Sequence, residues 1–238
     1  MSARNLPSSP VEQRGPGRSA GIDTQRIVEV ARGLEPDMLT MQAVARELGV
    51  DRSALNYYVK DRVGLLEFVA RDTFATEFSR FRFPEAADWQ TGCLEYARAL
   101  RDALVSTGSL VAYFRYDAQG GLDMLRPAEL LLEKLLSAGF DDHTVAHASL
   151  MLANIAMSLA RDLIFVRQYG EHPQPGIVHA ALDSAPADEF PALRQIMRPD
   201  PADYGDAQLE LSLRVFTLGM EQILGERRAG ASEPSGAA

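Results

Sequence analysis

The sequence holds one cysteine, Cys93, only two lysines, Lys60 and Lys134, and no uninterrupted apolar run of membrane-spanning length. A lone cysteine excludes a disulfide framework within the chain and suits a reducing compartment. The longest apolar stretch, Leu150 to Ala160, is interrupted by Asn154 and Ser158 and falls short of the roughly 20 residues a bilayer requires. The opening residues, rich in Pro, Gly, Ser and Arg, lack the apolar segment of a secretory signal. A soluble, cytoplasmic protein with no membrane partner is the expectation. Strand-like alternation and internal repeats are absent too, as are a glycine-rich phosphate loop, a metal-ligand cluster and a nucleophile motif, so no enzyme activity and no cofactor are expected.

The formal charge of −9 argues against a protein that coats nucleic acid by bulk electrostatics. Its distribution is uneven. Residues 1–60 carry eight basic groups against seven acidic ones, and the remainder carries 16 against 26, so the net charge is +1 before residue 61 and −10 after it. An N-terminal segment can therefore approach phosphate while the rest stays soluble.

The periodicity is helical almost throughout, predicting an all-α fold. Four parts are expected: a flexible basic arm over 1–20, a DNA-binding domain over 21–67, a helical regulatory domain over 68–226 and a flexible tail over 227–238. Asp23 caps a first helix, with Ile22 placed to staple onto Ile27, and Pro36 marks its stop. Thr40 caps a second helix that ends at Gly49. Asp51 caps a third, running to about Val59, and Asp61 opens a long fourth. Pro84 interrupts the pattern. Helices follow over 88–106, 126–138, 142–169 and 206–226, with a short apolar piece at 110–116. Gly170 to Asp188 reads as a loop with at most one helical turn, because Pro173, Pro175, Gly176 and Pro186 lie in it.

The second and third helices meet the requirements of a helix-turn-helix. Val44, Leu48, Val50, Leu55 and Tyr58 supply the apolar positions that pack two helices at a steep angle, Ala45 the small residue at their crossing, and Gly49 the turn. The stretch ThrMetGlnAlaValAlaArgGluLeuGlyVal, followed by AspArgSerAlaLeuAsnTyrTyrValLysAspArgValGlyLeuLeu, resembles the DNA-binding region of the tetracycline-repressor (TetR) family over about residues 22–70. The helix order beyond it, LeuArgAspAlaLeu at 100–104 and GlyPhe at 139–140 resemble the tetracycline repressor's own branch of that family.

The resemblance implies that the third helix enters the major groove and presents Arg52, Ser53, Asn56 and Tyr57, with Tyr58 where many members carry His. It also implies that Thr40, Lys60 and Arg62 hold phosphates. Asn56 departs from the family, which usually has Tyr there, and Asn can instead bond an adenine bidentately. Arg14 and Arg18 on the arm can either reach a minor groove or belong to a solubilising tail.

In the last helix, Leu209, Leu213, Phe216, Met220 and Ile223 form one stripe and Leu211, Val215 and Leu218 a second. Val145, Ala148, Leu152, Ile155 and Leu159 mark a stripe on the long helix before it. These stripes are either internal core or a four-helix interface of a homodimer, which would present two recognition helices to a palindromic operator. Tyr96, Tyr113, Phe114, Tyr116, Met151, Asn154, Met157, Arg161 and Phe165 are candidates for the pocket of a small-molecule effector. His143 and His147 have a metal-capable spacing, but the glutamate of a zinc-protease motif is missing between them, and no metal is expected. The functional expectation is a ligand-released repressor. A helical adaptor, or an activator without a small-molecule ligand, is the alternative.

Overall fold

The computed structural model describes residues 23–84, 88–115, 124–198 and 204–232, and no strand occurs among them. The chain divides into two compact units, 1–65 and 66–238. The proposed staple residue Ile22, the arm with Arg14 and Arg18, and Tyr116 lie outside the described residues.

In the first unit, α1 (Thr24–Arg32), α2 (Met41–Leu48) and α3 (Arg52–Leu55) precede α4 (Arg62–Phe78), within which the division between the units falls. Short polar side chains set the starts. Asp23 accepts the Arg26 N–H at 2.7 Å, Thr40 Oγ1 accepts from Ala43 at 3.1 Å, and Asp61 accepts from Gly64 at 2.9 Å, each satisfying a donor that the first turn leaves free. α1 packs on α2 and α2 on α3, enclosing Ile27, Val28, Ala31, Val44, Ala45 and Leu55. Each fully buried Ile or Leu contributes about 1.5–3 kcal/mol by its removal from water.

α3 is shorter than its predicted reach to Val59. After Leu55 the chain tightens, the Asn56 and Tyr58 N–H groups donating to the carbonyls three residues back at 3.2 and 2.9 Å. Asn56, Tyr57, Tyr58 and Val59 are all weak helix formers, so nothing local resists the change to a turn.

The second unit is arranged around α5 (Trp89–Ser106), which packs against α6 (Arg126–Ala138), α7 (Asp142–Tyr169), α10 (Asp206–Ser232) and a 3-10 segment at Gly108–Tyr113. Asp88 caps α5, accepting the Thr91 N–H at 2.8 Å, and this bond holds its carboxyl below the usual range. Cys93 is fully buried on α5, and desolvation pushes its thiol pKa up to about 12. Gly92 lies where a Cβ would come within 2.9 Å of the Phe83 ring, so the segment after α4 can approach α5 closely only because no side chain stands there.

Arg101 is buried and bonds Asp102 at 2.9 Å and Asp206, the first residue of α10, at 2.7 Å. Burial alone would lower its pKa, but the bonds to Asp206 and Asp102 outweigh this and hold it above the ordinary value. At the other end of α10, Arg227 pairs with Asp141, the cap of α7, at 2.6 Å, and Arg228 donates to the Ala138 carbonyl. These contacts carry α10 beyond Glu226, so the stretch from 227 to 232, expected to be flexible tail, is helical.

Two helices were not foreseen: α8 (Pro173–Ser184), where a loop was predicted, and α9 (Pro191–Met197). Pro173 and Pro175 fall in the first turn of α8, where a missing N–H costs no intrahelical bond, so they start the helix rather than break it. Arg194 of α9 ties the pair together by donating to the carbonyls of Leu182, Ala185, Pro186 and Glu189.

α7 is long and apolar enough by length and composition to cross a membrane, contrary to the sequence-based expectation. Val145, Ala148, Leu152, Ala156, Leu159, Ala160 and Ile164 nevertheless form a buried stripe, which makes it a core helix of this unit. Ile155 is only half-buried, and Ala156 takes its place in the stripe. On α10 the buried row is Leu209, Leu213, Phe216, Met220 and Leu224, while Ile223 is exposed, because a straight helix keeps to 3.6 residues per turn rather than to a 3.5-residue seam.

Leu152→Ala should destabilise the protein by about 2–5 kcal/mol through the cavity it leaves, read from denaturant unfolding of the full chain. Gly49→Ala should cost about 1–2 kcal/mol, because Gly49 adopts φ 69° with open space around it, so that backbone strain and not a clash is what the methyl group adds.

Candidate DNA-reading surface and effector cleft

The turn between α2 and α3 closes as a Schellman motif: the Gly49 N–H donates to the Arg46 carbonyl at 3.1 Å and the Val50 N–H to that of Ala45 at 3.0 Å. Asp51 then caps α3. Hydrogen bonds from the Ser53 hydroxyl and from its backbone N–H, the latter at 2.8 Å, hold the Asp51 carboxyl below its usual range. Ser53 is thus exposed, with its hydroxyl engaged by the cap.

The side chains predicted to read DNA converge on this element and on the chain that follows it. Arg52, Asn56 and Tyr57 are exposed, Tyr57 at 87%. Tyr58 is half-buried and packs edge-on against Tyr57 with ring centroids 5.1 Å apart. So Leu55 and Val59 anchor the element while Tyr57 projects from it, with Tyr58 as its brace. Thr40 is half-buried at the start of α2, and its hydroxyl is occupied as a cap. Lys60 and Arg62 are exposed. Arg62 Nε donates to the Leu39 carbonyl at 3.0 Å, tying the start of α4 to the chain just before α2.

The candidate ligand residues do not form one group. Tyr96 is buried, edge-on to Phe78 with centroids 5.9 Å apart, while Tyr113 and Phe114 are half-buried, Phe114 lying 4.4 Å from Phe74. Met151, Asn154, Met157, Arg161 and Phe165 are exposed on α7, away from the interior. The physical reason is the rotation of the helix: its buried stripe runs through Leu152, Ala156 and Leu159, so these five positions fall on the opposite side.

The clefts described in the second unit use other residues. One, of about 320 Å³, is lined by Phe78, Ser79, Phe81, Arg82, Phe83, Arg126, Pro127 and Leu130. A wider, open one of about 710 Å³ shares Phe83 and Leu130 with it and adds Trp89, Asp88, Glu133 and Lys134. A chain of rings leads into them from α4: Phe74 to Phe78 at 5.0 Å, Phe78 to Phe81 at 6.4 Å, and Phe81 to Phe83 at 5.5 Å. Lys134 Nζ stands 5.3 Å above the Phe83 ring, a cation–π contact. Sequence reasoning missed this group. Its signal was the recurrence of Phe at 74, 78, 81 and 83 across the end of a helix, followed much later in the chain by Arg126-Pro127.

The family model of the tetracyclin repressor-like C-terminal domain matches residues 83–224, more than half of the chain. No curated protein sequence matches. Among solved structures, the chain is similar to a possible TetR family transcriptional regulator from Streptomyces coelicolor A3(2), with 25% identity and a TM-score of 0.67 over 84% of this chain and 100% of that one. It is similar also to the Streptomyces coelicolor TetR family protein ActR in complex with actinorhodin, with 26% identity and a TM-score of 0.67 over 84% of this chain and 95% of that one. TetR from Acinetobacter baumannii shares the fold, with 20% identity and a TM-score of 0.58 over 86% of this chain and 99% of that one. A helix-turn-helix unit followed by a helical unit that the family's own model matches makes the chain a member of the TetR family of DNA-binding transcriptional regulators.

Proposed function

We propose that the protein is a repressor that holds a palindromic operator as a homodimer and releases it when a small molecule binds the second unit. The observation that carries this reading is the α2–α3 element, whose core is closed by Leu55 and whose outer face offers Arg52, Asn56 and Tyr57 to a ligand. Arg52, Asn56 and Tyr57 would contact base edges, Asn56 with the paired donor and acceptor that suit adenine, while Lys60 and Arg62 would hold phosphate. Thr40 and Ser53 would act chiefly as caps that fix the element, since their hydroxyls are already engaged. The net charge of +1 over residues 1–60, against −10 beyond, favours approach of this end to DNA.

The homodimer reading rests on two apolar faces. Leu150, Met151 and Met157 on α7 and Leu211, Val215, Leu218 and Ile223 on α10 are each between 44% and 62% exposed on two helices that pack against each other, and exposed apolar side chains grouped in this way mark interaction sites. A four-helix interface of α7 and α10 with their copies would cover it, with Asn154 and Arg161 as polar groups within it.

For the effector, the cleft of Phe78, Phe81, Phe83 and Leu130 offers aromatic walls and two guanidinium groups, from Arg82 and Arg126, which suits a planar ligand bearing anionic or carbonyl oxygens. Tyr96 and Phe114 lie in the same aromatic cluster behind Phe78 and Phe74. A relative of 26% identity has been solved with actinorhodin, which supports a small-molecule effector of some kind. The unit would bind its ligand without turning it over. A site of action on DNA would put the protein in the cytoplasm.

Asn56→Ala and Tyr57→Ala should each weaken binding to a duplex from upstream of the protein's own gene by about 5- to 150-fold, the equivalent of about 1–3 kcal/mol, with little effect on random duplex. If both variants bind as tightly as the parent, with unchanged salt dependence, α3 is not the reader. Val215→Asp and Leu218→Asp should shift the sedimentation mass toward that of a single chain, with each subunit still helical by circular dichroism. Dimers as stable as the parent's in both variants would remove α10 from the interface.

A further inference from the structure

His143 and His147 lie on the exposed side of α7, in the first and second turns after its Asp141 cap, and their Nε2 atoms approach to 3.2 Å. The rings are tilted 57° to one another with centroids 4.4 Å apart. Two neutral imidazoles at this distance share a single hydrogen bond, one ring donating and the other accepting. The same placement suits something stronger. A cation set 2.0–2.1 Å from each nitrogen, the usual metal–imidazole distance, would subtend an angle of roughly 100–106° between them, close to tetrahedral.

We propose that His143 and His147 form a two-nitrogen chelate for a divalent late transition-metal cation, Cu²⁺, Ni²⁺ or Zn²⁺. This departs from the expectation drawn from the sequence, where the missing glutamate spoke only against the zinc-protease arrangement. Imidazole nitrogen selects these cations over Mg²⁺ or Ca²⁺, and Cu²⁺ should bind most tightly. Among the described residues no third His, Cys, Asp or Glu joins the pair in a closed cluster, so water completes the coordination and the site is open. The partial positive charge at the start of a helix disfavours a cation here. Asp142 in the first turn, within a stretch of net charge −10 from residue 61 onward, offsets it, while Asp141 is already paired with Arg227. The site also lies ahead of the apolar part of the α7 face, which begins at Leu150. Binding would clip the first two turns of α7 together beside the Asp141–Arg227 ion pair that joins α7 to α10.

The experiment is calorimetric titration of the full-length, tag-free protein with ZnCl₂ and with CuCl₂, in the parent and in the His143→Gln, His147→Gln and His179→Gln variants. His179, on α8, has no histidine one turn away and serves as the control. One cation per chain should bind the parent, each of the first two substitutions should weaken binding by at least about tenfold through loss of the chelate, and His179→Gln should leave it unchanged. Cation should raise the thermal midpoint of the parent and of His179→Gln but not of the other two. Absence of saturable binding in the parent, or affinity unchanged by either substitution on α7, would overturn the proposal.

Discussion

α5 carries side chains that avoid water around nearly its whole circumference, from Trp89 and Cys93 through Tyr96 and Leu100 to Leu104 and Val105, and no single neighbour can cover such a helix. α6, α7 and α10 therefore have to pack around it together. Their own faces follow from that duty: each turns its most continuous apolar row inward, and what remains is left outward. Arg101 is the exception that proves informative, a charge on the central helix made tolerable by two carboxylates, one of them at the start of α10. The same guanidinium that would be costly alone thus fixes where the last helix begins.

The division of faces on α7 and α10 has a second consequence. Both helices have more apolar positions than α5 can cover, so each carries two apolar sides in one unit. An inward side packed to crystal-like density is specific, whereas an outward side of Leu, Val, Met and Ile is specific only once covered. Asn154 and Arg161, set within the outward side of α7, narrow the registers in which a cover can be added without stranding a polar group.

Much of the architecture was legible because the signals are short-range. Asp23, Thr40, Asp51, Asp61 and Asp88 each bond an N–H two or three residues ahead, so a helix start is written within a few letters, and Gly49 marks its turn in the same way. The outward face of the α2–α3 element was legible for the same reason. The exposure of Arg52, Ser53, Asn56 and Tyr57 follows once Leu55 and Val59 are recognised as anchors.

What was not legible depends on partners distant in sequence. Proline starts a helix or ends one depending on which side the chain is ordered, and the start of α8 looks like a loop until α9 and Arg194 are placed against its far end. A helix apolar on two sides does not say which is inner, and so the exposure of Met151, Asn154, Met157, Arg161 and Phe165 is set by a rotation of α7 that only its tertiary partners fix. The aromatic cleft joins the end of α4 to the start of α6, and only the close approach permitted at Gly92 brings Phe83 between them.

The single thiol gives the molecule a built-in clock. Cys93 lies fully enclosed on the central helix, and at neutral pH it stays protonated, the form that neither attacks disulfides nor reacts readily with alkylating agents. Thiol-directed oxidants therefore have little access to Cys93 in the folded protein, and a response through thiol chemistry would require the core to part. Any labelling of Cys93 reports how often α5 loses its cover, which makes the breathing of the regulatory core measurable in the unaltered chain.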